Sequence, residues 1–293
     1  MTLQRGKLIV LYPVVKPAAQ PNDVAGLHRT LRFNKRRSIE DVEVSQVTTL
    51  QEFYVSMQKL HAEYLRLGLV KRQQGDMLFS PWFFSPGNRL FIARIANDVI
   101  GTIGFIKQSE QGLPAEKIFA DVIKGTRCRP EKTGEIGSLC IDARYRGTGM
   151  LRTLYAWMML YAIFDQRVET LFIQVEKRKA RFYQDLLFFK QLGESRMHPD
   201  YEGHEVALLH ADITTVSQIL SRQLSSGNNT SIRQLLAAFE IEDIFRQLRQ
   251  RMRQDRGFCW SAKTVRHYCD LCGVNETRLT ASQRALLQAL LNR

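Results

Sequence analysis

The six residues Arg144-Tyr145-Arg146-Gly147-Thr148-Gly149 stand between a β-rich run at 136–141 and an apolar helical run that begins at Leu151. A strand that turns through two glycines straight into a helix is an α/β unit, which excludes all-helical and all-strand folds. Glycines in such a turn let backbone N–H groups come close to an anion, and the helix that follows presents its positive end to the same place. A pyrophosphate is the natural guest. A plain turn whose glycines only relieve strain uses the same residue types, so the surrounding elements have to decide between the two.

Those elements follow a recognisable order. VEVSQV from Val42 reads as a strand, and residues 50–67 read as a helix with Phe53, Val55, Met57, Leu60, Tyr64 and Leu65 at helical spacing. LFIARIAND and VIGTIGFIKQ form a hairpin about Asn97-Asp98, Pro114 introduces a short helix, and GEIGSLCID is the strand that enters the glycine turn. After the helix at 151–165 come the strand LFIQV, a helix at 179–189 and a last strand at EVALLHADI. The order β-α-β-β-(α)-β-α-β-α-β, without internal repeat, predicts a mixed central sheet flanked by helices over residues 41–214. Residues 1–40, with Pro13, Pro17, Pro21 and the run Lys35-Arg36-Arg37, read as a basic arm. Residues 215–293 read as a helical basic extension. It holds an SSGNNTS linker, an amphipathic stretch from Ile232 to Met252 with Arg246, Arg249 and Arg253 on one polar face, and a last helix capped by Thr280.

Charge sharpens this division. The 293 residues carry 42 Lys and Arg against 29 Asp and Glu, a net of +13, which as a bulk number points to nucleic acid or another anionic partner. Residues 1–40 hold 8 basic and 2 acidic side chains and residues 217–293 hold 12 and 6, so the body between them is nearly neutral. The excess belongs to the two ends. Hydrophobic residues at 44% exclude a disordered chain. The five cysteines are scattered, no leader pattern opens the sequence, and the longest apolar stretch, 154–164, is about half the ~20 residues of a bilayer span. A cytoplasmic protein with no transmembrane segment is expected.

Arg144, Gly147 and Gly149 match, position by position, the Arg/Gln-x-x-Gly-x-Gly/Ala motif of the GNAT acyltransferase superfamily, which this chain resembles. A narrower resemblance runs from about Val44 to Ile213, carried by Gly112-Leu113-Pro114, by Glu135, Ser138 and Leu139, by RFYQDLLFFKQLGE, and by Tyr201 followed by Val206-Ala-Leu-Leu. Together these look like the long-chain N-acyl amino acid synthases, relatives of the acyl-homoserine-lactone synthases. The resemblance implies a GNAT fold and an N-acyltransferase that moves an acyl group from acyl carrier protein or acyl-CoA onto an amino acid or similar small amine. The 144–149 loop, with Arg144, Arg146, Gly147, Thr148 and Gly149, would hold the phosphate of coenzyme A or of the carrier's phosphopantetheine arm. Glu135 would take the amine's proton, and Tyr183 would protonate the departing sulfur. Acyl carrier protein is the expected partner, and no metal is expected. One departure stands out: Phe188-Phe189 replaces the Gly-Phe common after this helix in the superfamily.

Other readings stay open at this stage. Glu135 reads also as a surface carboxylate, and Tyr183 as a packing aromatic beside Phe182. Cys140, between Leu139 and Ile141, reads as an inert thiol rather than a nucleophile. Cys259, His267, Cys269 and Cys272 fall short of a two-knuckle zinc spacing. The cluster Phe79, Trp82, Phe83 and Phe84 fits an acyl tunnel or a core equally. Two rival functions are an acetyl-CoA-dependent N-acetyltransferase on the same fold, and a catalytically idle module whose basic ends bind nucleic acid or an acidic protein.

Overall fold

The computed structural model describes residues 10–13, 31–34, 42–146, 148–187, 189–215, 246–247, 249–250, 260–274 and 279–292. A short antiparallel ribbon, β1 (Val10–Pro13) with β2 (Leu31–Asn34), lies within the segment read as an arm. The alternating runs of the body then make one seven-stranded sheet: β3 (Val42–Gln46), β4 (Arg89–Ile95), β5 (Asp98–Lys107), β6 (Thr133–Ile141), β7 (Thr170–Glu176), β8 (Lys190–Met197) and β9 (Glu205–Asp212). Their spatial order is β3-β4-β5-β6-β7-β9-β8, and every pair is antiparallel except β6 with β7. That single parallel pair requires a crossover. It is supplied by the glycine turn and the helix that follows it, residues Met150–Leu160.

Helices cover both faces. On one side lie α3 (Met150–Leu160) and α4 (Ala180–Leu187), packing Leu154, Trp157, Tyr161 and Tyr183 onto Phe91, Ile103, Phe105, Ile136 and Ile173. On the other lie α1 (Leu50–Arg66) and α2 (Glu116–Gly125). α1 starts where it does because Thr49 and Glu52 form a capping box, Thr49 Oγ1 accepting the Glu52 N–H at 3.2 Å. Glu52 also takes Arg94 of β4 at 2.6 Å, fastening the helix start to the sheet. Below α1, Gly104 has no side chain because the Phe83 ring lies on it; a Cβ there would stand 2.7 Å from the ring.

Two helices of the C-terminal extension, α5 (Ala262–Leu271) and α6 (Ala281–Leu291), pack on the α1 side. Ser261 and Thr280 cap them, the second as the sequence predicts. Their anchor is Tyr268, whose ring meets Phe53, Phe84 and Phe79 with centroids 5.2, 5.9 and 5.4 Å away. Its hydroxyl donates to the Leu78 carbonyl at 2.5 Å and accepts the Ser80 N–H at 3.1 Å. Trp260 donates its indole N–H to the Phe83 carbonyl at 3.0 Å. The aromatic cluster therefore divides: Phe79, Phe83 and Phe84 seat the extension, whereas Trp82 turns to the α2 side.

The structure corrects the element order in one place. A strand, β8, follows α4 directly, where only a helix tail and loop were expected. KQLGESRM is largely exposed at the sheet edge, so it lacks the buried alternation by which strands are read. Two helix bounds also differ: the helix expected at 179–189 ends at Leu187, and the one at 151–165 finishes as a π-helical turn from Tyr161 to Asp165. Most of the amphipathic stretch 232–252 lies outside the described residues; Arg246 and Arg249 are helical and exposed, and Arg253 lies outside. No described helix is long and apolar enough to cross a membrane.

Removing the Tyr268 hydroxyl leaves the part-buried Leu78 carbonyl and Ser80 N–H without this partner. Tyr268→Phe is expected to lower unfolding free energy by about 1–3 kcal/mol in urea denaturation. A change below about 0.5 kcal/mol would show that the extension is not anchored through this contact.

Candidate active site

β6 and β7 pair only from Thr133 to Ile136 against Thr170 to Ile173. β6 runs on to Ile141 and β7 to Glu176, each still bonded to its other neighbour, so the two strands part and leave a wedge. A bulge accompanies the parting. The β5–β6 register shifts between Thr102 and Gly104, and Ser138 adopts φ 50°, a conformation side chains rarely take. Thr102 steadies it by donating its hydroxyl to the Ser138 carbonyl at 2.6 Å.

Glu135 lies just before the wedge, third in β6, and is 2% exposed. The surface-carboxylate reading is thereby overturned. The Ala115 N–H donates to its Oε2 at 2.8 Å and the Gln174 side-chain amide to its Oε1 at 2.9 Å. Loss of water pushes its pKa up to about 7, against the pull of these two hydrogen bonds and with a further push from Glu116. Such a carboxylate is poised to take a proton near neutrality. Tyr201, in the β8–β9 connection, is close enough for the Glu135 charge to help hold its phenol up at about 12, after burial. The Tyr201 ring meets Tyr64 of α1 edge-on with centroids 6.1 Å apart.

Tyr183 sits on α4 among the residues of the opposite face, 7% exposed, its ring edge-on to Phe182 and Phe189. Burial pushes its pKa up to about 12, which keeps the phenol protonated. No hydrogen bond or ion pair joins it to Glu135 among the described residues. Tyr64 of α1 has its phenol raised by burial and then by Tyr201, Cys140 and Tyr183. Phe188 lies outside the described residues.

The loop after β6 offers backbone rather than side chains. Arg144 is held by Asp142 at 2.8 Å and Asp98 at 3.1 Å, and Asp142 also holds Lys59 at 2.8 Å. Arg146 pairs with Glu63, and its Nε donates to the Ile141 carbonyl at 3.3 Å. Thr148 turns its hydroxyl onto the Tyr145 carbonyl at 2.6 Å. Gly149 is the N-cap of α3 at φ 85°, where no side chain caps the helix, so the first-turn N–H groups have no side-chain acceptor. This is the electrostatic arrangement an anion completes. Gly147 lies outside the described residues.

Cys140 is buried against the Thr102 hydroxyl at 3.4 Å, and burial pushes its thiol up, which suits an inert residue. Cys269 and Cys272 stand in the α5 packing, and Cys259 lies outside the described residues.

A family model described as N-acyl amino acid synthase FeeM matches residues 58–212, more than half the chain. The chain belongs to the FeeM family of N-acyl amino acid synthases. It is an N-acyltransferase. Its structure is similar to that of FeeM from uncultured soil microbes, 18% identical, with a TM-score of 0.53 over 61% of this chain and 93% of FeeM. It is also similar to BjaI, a CoA-dependent acyl-homoserine lactone synthase, at 11% identity and a TM-score of 0.49 over 62% and 89% of the two chains. An acetyltransferase from Streptococcus agalactiae follows at 14% identity and a TM-score of 0.40, covering 59% of this chain and 99% of its own. No curated protein sequence matches the chain.

Three neighbours of the site carry no role in the sequence reading. Tyr64 reads there only as an apolar position of its helix, Tyr201 only as a resemblance residue, and Gln174 as a member of the strand LFIQV. The signal for Gln174 is a polar residue interrupting a buried run on the Phe172 face.

A folded pKa above the unfolded one means that the fold favours neutral Glu135. The stabilisation is fully present below about pH 4.5 and is lost as pH rises through about 7. The enzyme is expected to lose on the order of 3 kcal/mol over that window through this residue, and Glu135→Gln to remove the loss and be the more stable protein at pH 8. Urea denaturation of both proteins from pH 4 to 8 checks it, and parallel curves would contradict it.

Proposed function

We propose that the enzyme joins a long-chain acyl group, delivered as a thioester on the phosphopantetheine arm of acyl carrier protein, to the amino group of an amino acid. The observation that carries this reading is the buried carboxylate of Glu135 beside the wedge between β6 and β7. There a carboxylate adjoins unpaired strand edges along which an extended pantetheine arm fits, and the uncapped start of α3 follows the same strand.

The chemistry balances on two side chains. Ionised Glu135 takes one proton from the ammonium form of the acceptor and later releases it to water. The neutral nitrogen adds to the thioester carbonyl carbon, and the C–S bond breaks with its electron pair on sulfur. Tyr183 gives its hydroxyl proton to that sulfur and is reprotonated by the second proton shed by the nitrogen. A phenol kept neutral by burial suits this duty, since its ionised form is costly and short-lived. The phosphate is received by backbone N–H groups of the 144–149 loop, with Arg144 and Arg146 bracing the loop through Asp142, Asp98 and Glu63.

Catalysis is assigned to residues 41–214. The basic segments 1–40 and 215–293 are assigned to docking a small acidic carrier, where complementary charge raises the encounter rate and makes it salt-dependent.

Purified enzyme mixed with amino acids and long-chain acyl thioesters of acyl carrier protein or of coenzyme A is expected to yield acyl amides by mass spectrometry, fastest from the carrier. No amide from either donor would refute the proposal. Glu135→Gln is expected to lower kcat/KM by about 10²–10⁴-fold, and Tyr183→Phe by on the order of 10²-fold.

A further inference from the structure

Gln174 is the first residue of β7 beyond its ladder with β6. It follows Phe172 by two residues and so projects from the same face, the one that buries Glu135. Had the ladder continued by one step, the residue opposite would be Gly137, whose missing Cβ would meet nothing nearer than Ile106 Cδ1 at 3.8 Å. A side chain is thus absent where the two strands come apart, directly across from Gln174.

The Gln174 amide is only half used. Its nitrogen donates to Glu135 Oε1 at 2.9 Å, and a charged carboxylate fixes it in that orientation because the amide oxygen would be repelled there. Its oxygen is buried and has no hydrogen-bond partner among the described residues. Leaving such an acceptor unmatched costs about 1–3 kcal/mol, a cost that a donor arriving with a ligand removes. Phe172, Val206 and Leu208 on this face are hydrocarbon and Glu135 accepts, and the Tyr201 phenol of the same cluster makes no hydrogen bond to this oxygen among the described residues.

We propose that the Gln174 carbonyl receives the acceptor amine, making Gln174 a positioning and specificity residue for the acyl transfer. The inference rests on the reading of Glu135 as the base. A neutral primary amine has two N–H groups and one lone pair. One N–H meets Gln174 Oε1, the other meets Glu135, and the lone pair is left for the thioester carbon. A secondary amine has a single N–H in its neutral form and cannot meet both acceptors. The site therefore selects primary amines, and the selection resides in Gln174.

The test takes the best acceptor from a mixture of the common amino acids and its N-methyl derivative, with steady-state kinetics for the parent enzyme, Gln174→Met, Gln174→Asn and Glu135→Gln. Methionine keeps the length and removes the carbonyl. Gln174→Met is expected to raise the amine KM about 10–100-fold, a larger factor than any fall in kcat from the lost hydrogen bond to Glu135, and to collapse the preference for primary over N-methyl amine. Gln174→Asn, which keeps an amide on a shorter stem, is expected to recover part of both. Unfolding curves establish that each variant folds, and the Asn variant alone suffices for the comparison if the Met variant does not. An unchanged amine KM and an unchanged preference in Gln174→Met, with Glu135→Gln inactive, would overturn the role of Gln174 while leaving Glu135 as base. Full activity in Glu135→Gln would overturn the base itself, and with it the two-point receipt of the amine.

Discussion

The parallel ladder between β6 and β7 is short: four residue pairs, then separation. Most features of the site follow from that constraint. Each strand remains bonded on its far side, so the opening does not unravel the sheet. The bulge at Ser138 turns β6 away, and holding a non-glycine residue at positive φ costs on the order of 1–3 kcal/mol, offset here by the Thr102 hydroxyl and by the surrounding packing. Past the wedge the chain enters the glycine turn and α3, whose N-terminus has no side-chain cap. One break in hydrogen bonding thus brings together a wedge between strands, a buried acid and a helix start without a side-chain cap.

Burying Glu135 sets stability against chemistry. Removal from water favours the neutral acid, while the Ala115 N–H and the Gln174 amide favour the anion, and the balance falls near neutrality. An apolar residue there would carry no charge to desolvate. The same trade is visible at Gln174, whose buried carbonyl carries an unmet hydrogen bond in the free protein. Locally unfavourable groups gathered at one break in an otherwise consistent fold mark a functional site more firmly than any one of them does.

Legibility in the sequence followed burial. Strands covered on both faces, such as LFIARI and VIGTIGFIK, announce themselves as continuous apolar runs, and Thr280 and the glycine turn are local chemistry that reads directly. β8 is exposed along most of its length and so has no hydrophobic pattern to read. Glu135 could be named only through a family resemblance, because what makes it unusual comes from positions 20 and 39 residues away, Ala115 and Gln174. Burial of a carboxylate is a tertiary fact. The seat of the C-terminal helices was hidden for the same reason: their amphipathic pattern declares a buried face but not that it meets Phe53, Phe83 and Phe84. The loop arginines read naturally as phosphate ligands, yet their guanidinium groups are held by Asp142, Asp98 and Glu63, which sequence distance conceals.

These side chains are secondary to one claim, that the parting of β6 and β7 holds a desolvated carboxylate with a near-neutral proton affinity. A titration of side-chain carboxyl carbons by ¹³C NMR, with the Glu135 resonance identified by its absence from the Glu135→Gln spectrum, measures that affinity in the folded enzyme. The account predicts an inflection near pH 7 for this resonance. An inflection between about 4 and 5, the range of a solvated glutamate, would contradict it.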